Sequence, residues 1–171
     1  MKGLRAQLTR VARAEADDAF ALAALELALN REQGRPPEEG FLDRYTDAWL
    51  RDRDRYPSWI ASSLDGNPLG ALTITLGQSL PRPGRIPRPW GHMTNFYVRP
   101  EARRMGLGTR LLDEAVEWAD SRSLLWITLL PSQSAQSLLQ RVGFAPCGED
   151  LLRRTAPAGK RSAGQPQIPP Q

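Results

Sequence analysis

The chain predicts an α/β fold of one domain, built on a mixed sheet with helices on both faces. Three observations lead there. Two apolar runs flank the turn "DGNP" (Asp65–Pro68), which is a hairpin signal and makes the early strands meander. A strand–helix–strand unit follows between His92 and Leu130. Two helical patterns lie between the first strand and that hairpin, so the order reads β-α-α-β-β-β-α-β-α-β.

Each element has its own local reason. "LTRVAR" (Leu8–Arg13) reads as a short strand. "DDAFALAALELALNRE" (Asp17–Glu32) is a helix of strong formers, apolar almost all round, with acids at its positive end. "RPPEEG" interrupts the chain. "FLDRYTDAWLRDRDR" (Phe41–Arg55) resumes with Phe41, Leu42, Tyr45, Trp49 and Leu50 at helical spacing. "SWIASSL" and "LGALTITL" are the hairpin strands. The stretch Gly77–Gly91 carries too many prolines for a regular element. "HMTNFYV" (His92–Val98) is a strand, Gly106–Ser121 a helix and "LLWITLL" (Leu124–Leu130) another strand. "SAQSLLQRV" is a short helix stopped by Gly143, and "LLRR" supplies a last strand. The domain is placed at residues 1–154 of the 171. Residues 155–171, rich in Pro, Gly, Ala and Gln with Ile168 the one large apolar residue, are expected to be disordered.

Composition removes several function classes. No apolar run is long enough to cross a bilayer, and Met1–Arg10 lacks the apolar stretch of a secretory signal. Cys147 is the sole cysteine, so no internal disulfide forms and a reducing, cytoplasmic setting fits. With His92 the sole histidine, a Cys/His zinc cluster is excluded and no metal is expected. Of the net charge of +4, Lys160 and Arg161 in the tail supply two units, leaving +2 for the rest. Arginines elsewhere alternate with acids, as in "RDRDRY" (Arg51–Tyr56), which reads as a solvated helix face. No basic stripe with interleaved aromatics appears, so nucleic acid is not the expected partner.

The segment "NFYVRPEARRMGLGTRLLDEAVEWA" (Asn95–Ala119) enters a helix without an evident side-chain cap. A helix start leaves N–H groups unsatisfied and carries partial positive charge. Arg103-x-x-Gly106-x-Gly108 is an R/Q-x-x-G-x-G pattern, which would arise by chance in roughly one chain in ten of this length, so context decides its meaning. It follows a strand directly and opens an amphipathic helix, which aims successive N–H groups at an anion such as phosphate. Glycines at 106 and 108 keep side chains from blocking backbone approach, and Arg103 and Arg104 add positive charge. The dinucleotide-binding fingerprint fails here. Position 103 is Arg rather than Gly, and the next strand, "LLWITLLPS", ends without an acid.

"YVRPEARRMGLGTRLL" resembles the acetyl-CoA motif of the GNAT superfamily of N-acetyltransferases, Q/R-x-x-G-x-G/A behind a V-x-P-E strand exit. "WITLLPSQSAQSLLQRVGF" resembles that family's next strand and short helix, which typically end in Y-x-x-x-GF. The element order over residues 8–154 agrees as well. The resemblance implies a GNAT-like fold and an N-acetyltransferase that uses acetyl-CoA as co-substrate and an amine as acceptor. It implies direct attack in a ternary complex, a protein that is a monomer or homodimer, and no membrane association. An acyl-CoA-binding module that has lost catalysis is the alternative.

Residue by residue, the resemblance puts the pyrophosphate on the N–H groups of Arg103, Arg104, Met105, Gly106, Leu107, Gly108 and Thr109. Pantetheine would pair with Phe96, Tyr97 and Val98, where the fourth strand splays from the fifth, and an N–H near Val98 would face the thioester oxygen. Ser132 matches a pantetheine-contacting position, although "PSQSAQ" makes helix capping an equal role for Ser132 and the favoured one for Ser134. His92 is the candidate base, since histidine exchanges protons near neutral pH. It matches a position held by glutamate in histone acetyltransferases and by histidine in arylalkylamine acetyltransferases; capping of the loop after Gly91 is its other role. Strict alternation would put 92, 94, 96 and 98 on one face, where Thr94 would carry a relay water. Leu139 occupies the place where many members carry a tyrosine acid, at a cleft edge. For the acceptor, Glu38, Glu39 and Asp43 offer an ammonium site or plain surface charge, whereas Arg82, Arg85 and Arg88 would favour an acidic acceptor.

Overall fold

The structure, a computed structural model, describes residues 9–147. Leu8, the "LLRR" strand and the tail lie outside the described residues. Among the described residues five strands form one sheet in the order β1-β2-β3-β4-β5: β1 Thr9–Arg13, β2 Ser58–Ser63, β3 Pro68–Gln78, β4 Pro89–Val98 and β5 Ile127–Thr128. The first three pairings are antiparallel and β4–β5 is parallel, so the sheet is mixed as expected.

Helices α1 (Ala19–Glu32) and α2 (Phe41–Arg51) cover one face, and α3 (Leu107–Ser121) covers the other. Alternation along the strands supplies both cores. Trp59, Ala61, Leu72, Ile74 and Met93 meet Leu107, Leu111, Leu112 and Ala115 of α3. Ile60, Ala71 and Tyr97 meet Leu22 and Leu25 of α1 and Trp49 of α2. Leu111 and Leu112 are fully buried, each worth about 1.5–3 kcal/mol in transfer terms. The short helix α4 (Gln136–Arg141), preceded by a 3₁₀ turn at Gln133–Ala135, packs Leu139 into the α3-side core.

Four boundaries differ from the sequence expectation. Asp17 and Asp18 belong to a 3₁₀ turn, Ala16–Asp18, closed by a capping box with Glu15. Helix α2 stops at Arg51 rather than continuing through "RDRDR". The Trp49 indole donates to the Tyr56 carbonyl at 3.1 Å and to Ser58 Oγ at 3.0 Å, and these bonds draw the chain down into β2. The proline-rich loop is shorter than Gly77–Gly91, because Gly77 pairs with Trp90 and Gln78 with Pro89. A Cβ at Gly77 would lie 2.2 Å from the Trp90 ring, so the glycine is what lets that indole lie flat across the strand. Finally, β5 pairs over two residues instead of the seven of Leu124–Leu130.

Candidate active site

Strand β4 contains a bulge. Thr73 pairs with Asn95 and Ile74 with Met93, which leaves Thr94 as an extra residue. A bulge bends its strand and resets side-chain alternation. Met93 therefore faces α3 together with Phe96 and Val98, whereas Asn95 and Tyr97 face α1 and α2. His92 pairs with Thr75, two residues on from Thr73, and so shares the face of Asn95 and Tyr97. The single-face set 92, 94, 96 and 98 is thus broken by the bulge. Thr94 itself is exposed, its hydroxyl at 3.5 Å from both the Thr73 carbonyl and the Thr75 hydroxyl.

The same strand forks from β5. Parallel pairing ends at His92–Thr128, after which the two strands separate. From Met93 to Val98 the β5-facing edge of β4 has no ladder partner among the described residues. His92 sits at the crotch, half-buried, its Nδ1 at 2.9 Å from Thr128 Oγ1. That contact orients the ring across the fork, which is different from capping the loop at Gly91.

Beyond Val98 a 3₁₀ turn at Pro100–Ala102 leads into the glycine loop. Arg104 (φ 64) and Gly106 (φ 78) both adopt left-handed backbone. Gly106 stands at the N-cap of α3 and no side chain caps the helix. The N–H groups of Leu107, Gly108 and Thr109 have no preceding turn to bond and lie at the positive end of the dipole, which is anion-binding chemistry. A Cβ at Gly106 would meet nothing within 4 Å, so this glycine is required by its φ and keeps the loop face open. Gly108 is explained by packing. Its Cβ would come 3.2 Å from Leu138 and 3.4 Å from Phe96, so the glycine lets α3 close on β4 and α4.

The two loop arginines differ. Arg103 Nη2 donates to both Glu32 oxygens at 2.6 and 2.7 Å, and its Nε donates to the Val98 carbonyl at 3.0 Å. The bonds from Arg103 hold the Glu32 carboxyl below the usual carboxylate range. The Arg103 guanidinium is therefore committed to tying α1 to the end of β4, and Arg104 lies exposed beside it. Met105 packs partly against the core, and Leu107 is buried.

The sequence model of the acetyltransferase (GNAT) family matches residues 22–144. The chain belongs to that family. No curated protein sequence matches it significantly. Among solved structures it is similar to a predicted acetyltransferase with acetyl-CoA from Clostridium acetobutylicum, at 20% identity and a TM-score of 0.70, with 86% of this chain and 96% of that one covered. It is also similar to a GCN5-related N-acetyltransferase from Ralstonia eutropha JMP134 at 23% identity and TM-score 0.64, covering 86% and 98%. A third is the ribosomal-protein-alanine N-acetyltransferase from Brucella melitensis biovar Abortus 2308, at 23% and 0.62, covering 86% and 99%. At these identities the likeness is one of fold.

Within this GNAT domain the remaining candidates fall as follows. Ser132 is exposed and bonds the Ser134 hydroxyl at 3.2 Å. Neither serine caps a helix by its side chain, so the capping role is not realised. Leu139 is 3% exposed and part of the core, not of a cleft edge, because α4 lays it against α3. Glu38 pairs with Arg44, and Glu39 and Asp43 are exposed. Arg88 donates twice to the Ser123 carbonyl. No helix among the described residues is long and apolar enough to cross a membrane.

One titratable residue beside β4 was not singled out from the sequence. Glu26 of α1 is half-buried against β4, where Asn95 Nδ2 donates to its Oε2 at 2.6 Å. Burial raises its carboxyl above the usual range, against the opposing pull of Arg35 and of the Asn95 bond. The available signal was a lone acid inside "LAALELAL", one turn beyond buried Leu22.

Proposed function

We propose that the protein is an acetyl-CoA-dependent N-acetyltransferase that moves an acetyl group to a primary amine of a small molecule or peptide, by direct attack in a ternary complex. The observation that carries this is one strand with two features. The unpaired edge of β4, opened by the Thr94 bulge, runs straight into an uncapped helix start with a left-handed glycine. A pantetheine-like chain needs the first and a pyrophosphate needs the second. The similar Clostridium acetyltransferase, whose structure is one with acetyl-CoA, supports acetyl-CoA as the ligand.

In this reading the loop N–H groups from Arg103 to Thr109 hold the pyrophosphate, and the backbone of Phe96, Tyr97 and Val98 takes the pantetheine amides. Ser132, across the fork, adds a hydroxyl contact. His92, with its ring set by Thr128, accepts a proton from the nitrogen as the amide forms. A cytoplasmic monomer or homodimer with a domain at 1–154 goes with this assignment. The test is mass spectrometry of a pooled amine and peptide library incubated with protein and acetyl-CoA. One acetyl group gained by a primary amine is expected.

A catalytically weak acyl-CoA-binding module is the second reading, and Leu139 favours it. Leucine buried in the core cannot protonate a departing thiolate as a phenol can. Tight acetyl-CoA binding with no thiol release across the amine panel would select that reading over the first. The thiolate of CoA leaves tolerably at neutral pH, so the first predicts a slow enzyme rather than an inert one.

A further inference from the structure

Glu26 lies on the inward side of an otherwise apolar stretch of α1, where the Asn95 amide bonds its Oε2 and the Arg35 charge acts on it from beyond the helix. A carboxylate in such a place costs stability unless a positive group joins it. Asn95 adds to the imbalance. Its amide group is turned to Glu26, and its Oδ1 is buried with no hydrogen-bond partner, in a residue only 7% exposed. Tyr45 of α2 borders the same place, with its hydroxyl bonded to Thr73 and its pKa pushed up to about 12 by burial and by the Glu26 charge. Thr73 is in turn held by Ser58 at 2.9 Å, so neither hydroxyl is free to serve Asn95. Facing Glu26 are thus Arg35 beyond its own helix, Tyr45 from α2, and Asn95 on β4, with His92 further along the same face. The place offers a carboxylate and an unpaired carbonyl oxygen one residue from the Thr94 bulge. A carboxylate with acceptor capacity beyond its Asn95 bond, beside a carbonyl oxygen without a donor, suits a ligand that is a cation and carries several N–H groups. An ammonium group carries three.

We propose that Glu26 and Asn95 form the subsite for the acceptor's ammonium group, that the acceptor is therefore a cationic primary amine, and that Glu26 takes its first proton. This rests on the acetyltransferase reading above. The ammonium binds as R–NH₃⁺ against the Glu26 carboxylate and passes one proton to it, leaving R–NH₂ and a neutral carboxyl. The amine lone pair forms the C–N bond to the thioester carbon and the C–S bond breaks, its electron pair going to sulfur. The second nitrogen proton leaves through His92 and reaches the thiolate, giving CoA–SH. Glu26 returns its proton to solvent, so the net change is R–NH₃⁺ plus acetyl-CoA to amide, CoA–SH and H⁺. A carboxyl raised by burial suits this exchange better than an ordinary one.

Glu26→Gln keeps the shape and the acceptor oxygen for Asn95 while removing the charge. Acetyl-CoA affinity by calorimetry should be unchanged, and kcat/KM for amines should fall about 10²-fold or more, with the acidic limb of the pH–rate profile lost. Wild-type kcat/KM and pH profile in this variant overturn the subsite while leaving the acetyltransferase reading intact. Should wild type acetylate no amine, the acetyltransferase reading fails, and binding judges the subsite alone. Calorimetric binding of butylamine or spermidine to wild type that disappears in Glu26→Gln then supports it, and no binding to wild type overturns it. Carbon-13 NMR titration of the glutamate carboxyls in wild type is independent of any variant's folding. A Glu26 resonance that titrates above the ordinary range and shifts with spermidine supports the subsite; one that ignores spermidine overturns it.

Discussion

Gly106 carries more consequence than any other single residue of the loop, because two separate physical demands meet there. Its φ of 78° lies in the left-handed region, and the space in front of it is empty of protein atoms within 4 Å. A β-branched residue would meet the first demand badly and fill the second. Gly106→Val should cost about 1–3 kcal/mol in chemical denaturation from backbone strain, with the fold retained. It should also abolish acetyl-CoA binding by calorimetry. Unchanged affinity would place the pyrophosphate elsewhere. Arg104, at φ 64°, already bears such strain without being glycine, and strained backbone of this kind gathers at functional sites.

Strand β4 and helix α4 are where elements, rather than residues, decide the chemistry. Without the Thr94 bulge, His92 would share the α3 face with Phe96 and be lost in the core; with it, the ring lies at the fork beside Thr128. His92→Gln should lower kcat/KM by about 10²-fold with acetyl-CoA affinity unchanged. A wild-type pH–rate profile in that variant would take His92 out of proton transfer. Helix α4 decides against a tyrosine at 139. The leucine is 3% exposed and fills its place, so Leu139→Tyr should overpack the core and lower stability by about 1–3 kcal/mol. Restored stability with a gain in kcat would mean that the phenol finds its way out to the fork.

At the scale of the whole molecule, folding and function pull Glu26 in opposite directions. Its pKa is raised in the folded chain by burial, so the folded state binds that proton more tightly than the unfolded state. Stability from this group is full at low pH and is lost as pH rises from the ordinary carboxylate range through the raised folded value. Removing the charge should therefore raise the melting temperature of Glu26→Gln above wild type at about pH 8, with the gap closing toward acid. A variant that is more stable yet far slower marks a residue kept for activity. Equal melting temperatures across that range would show that the carboxylate meets no burial cost. From the sequence alone came the mixed sheet, the order of its described elements as far as α4, the glycine loop and the family. All of these are written in local signals: apolar periodicity, turn residues and a six-residue spacing next to a strand exit. Tertiary structure alone decided which face His92 takes, that Arg103 is spent on Glu32, that Leu139 is core, and that Glu26 meets Asn95. A bulge appears only when two strands are paired, and a carboxylate's cost appears only when a neighbouring strand removes its water.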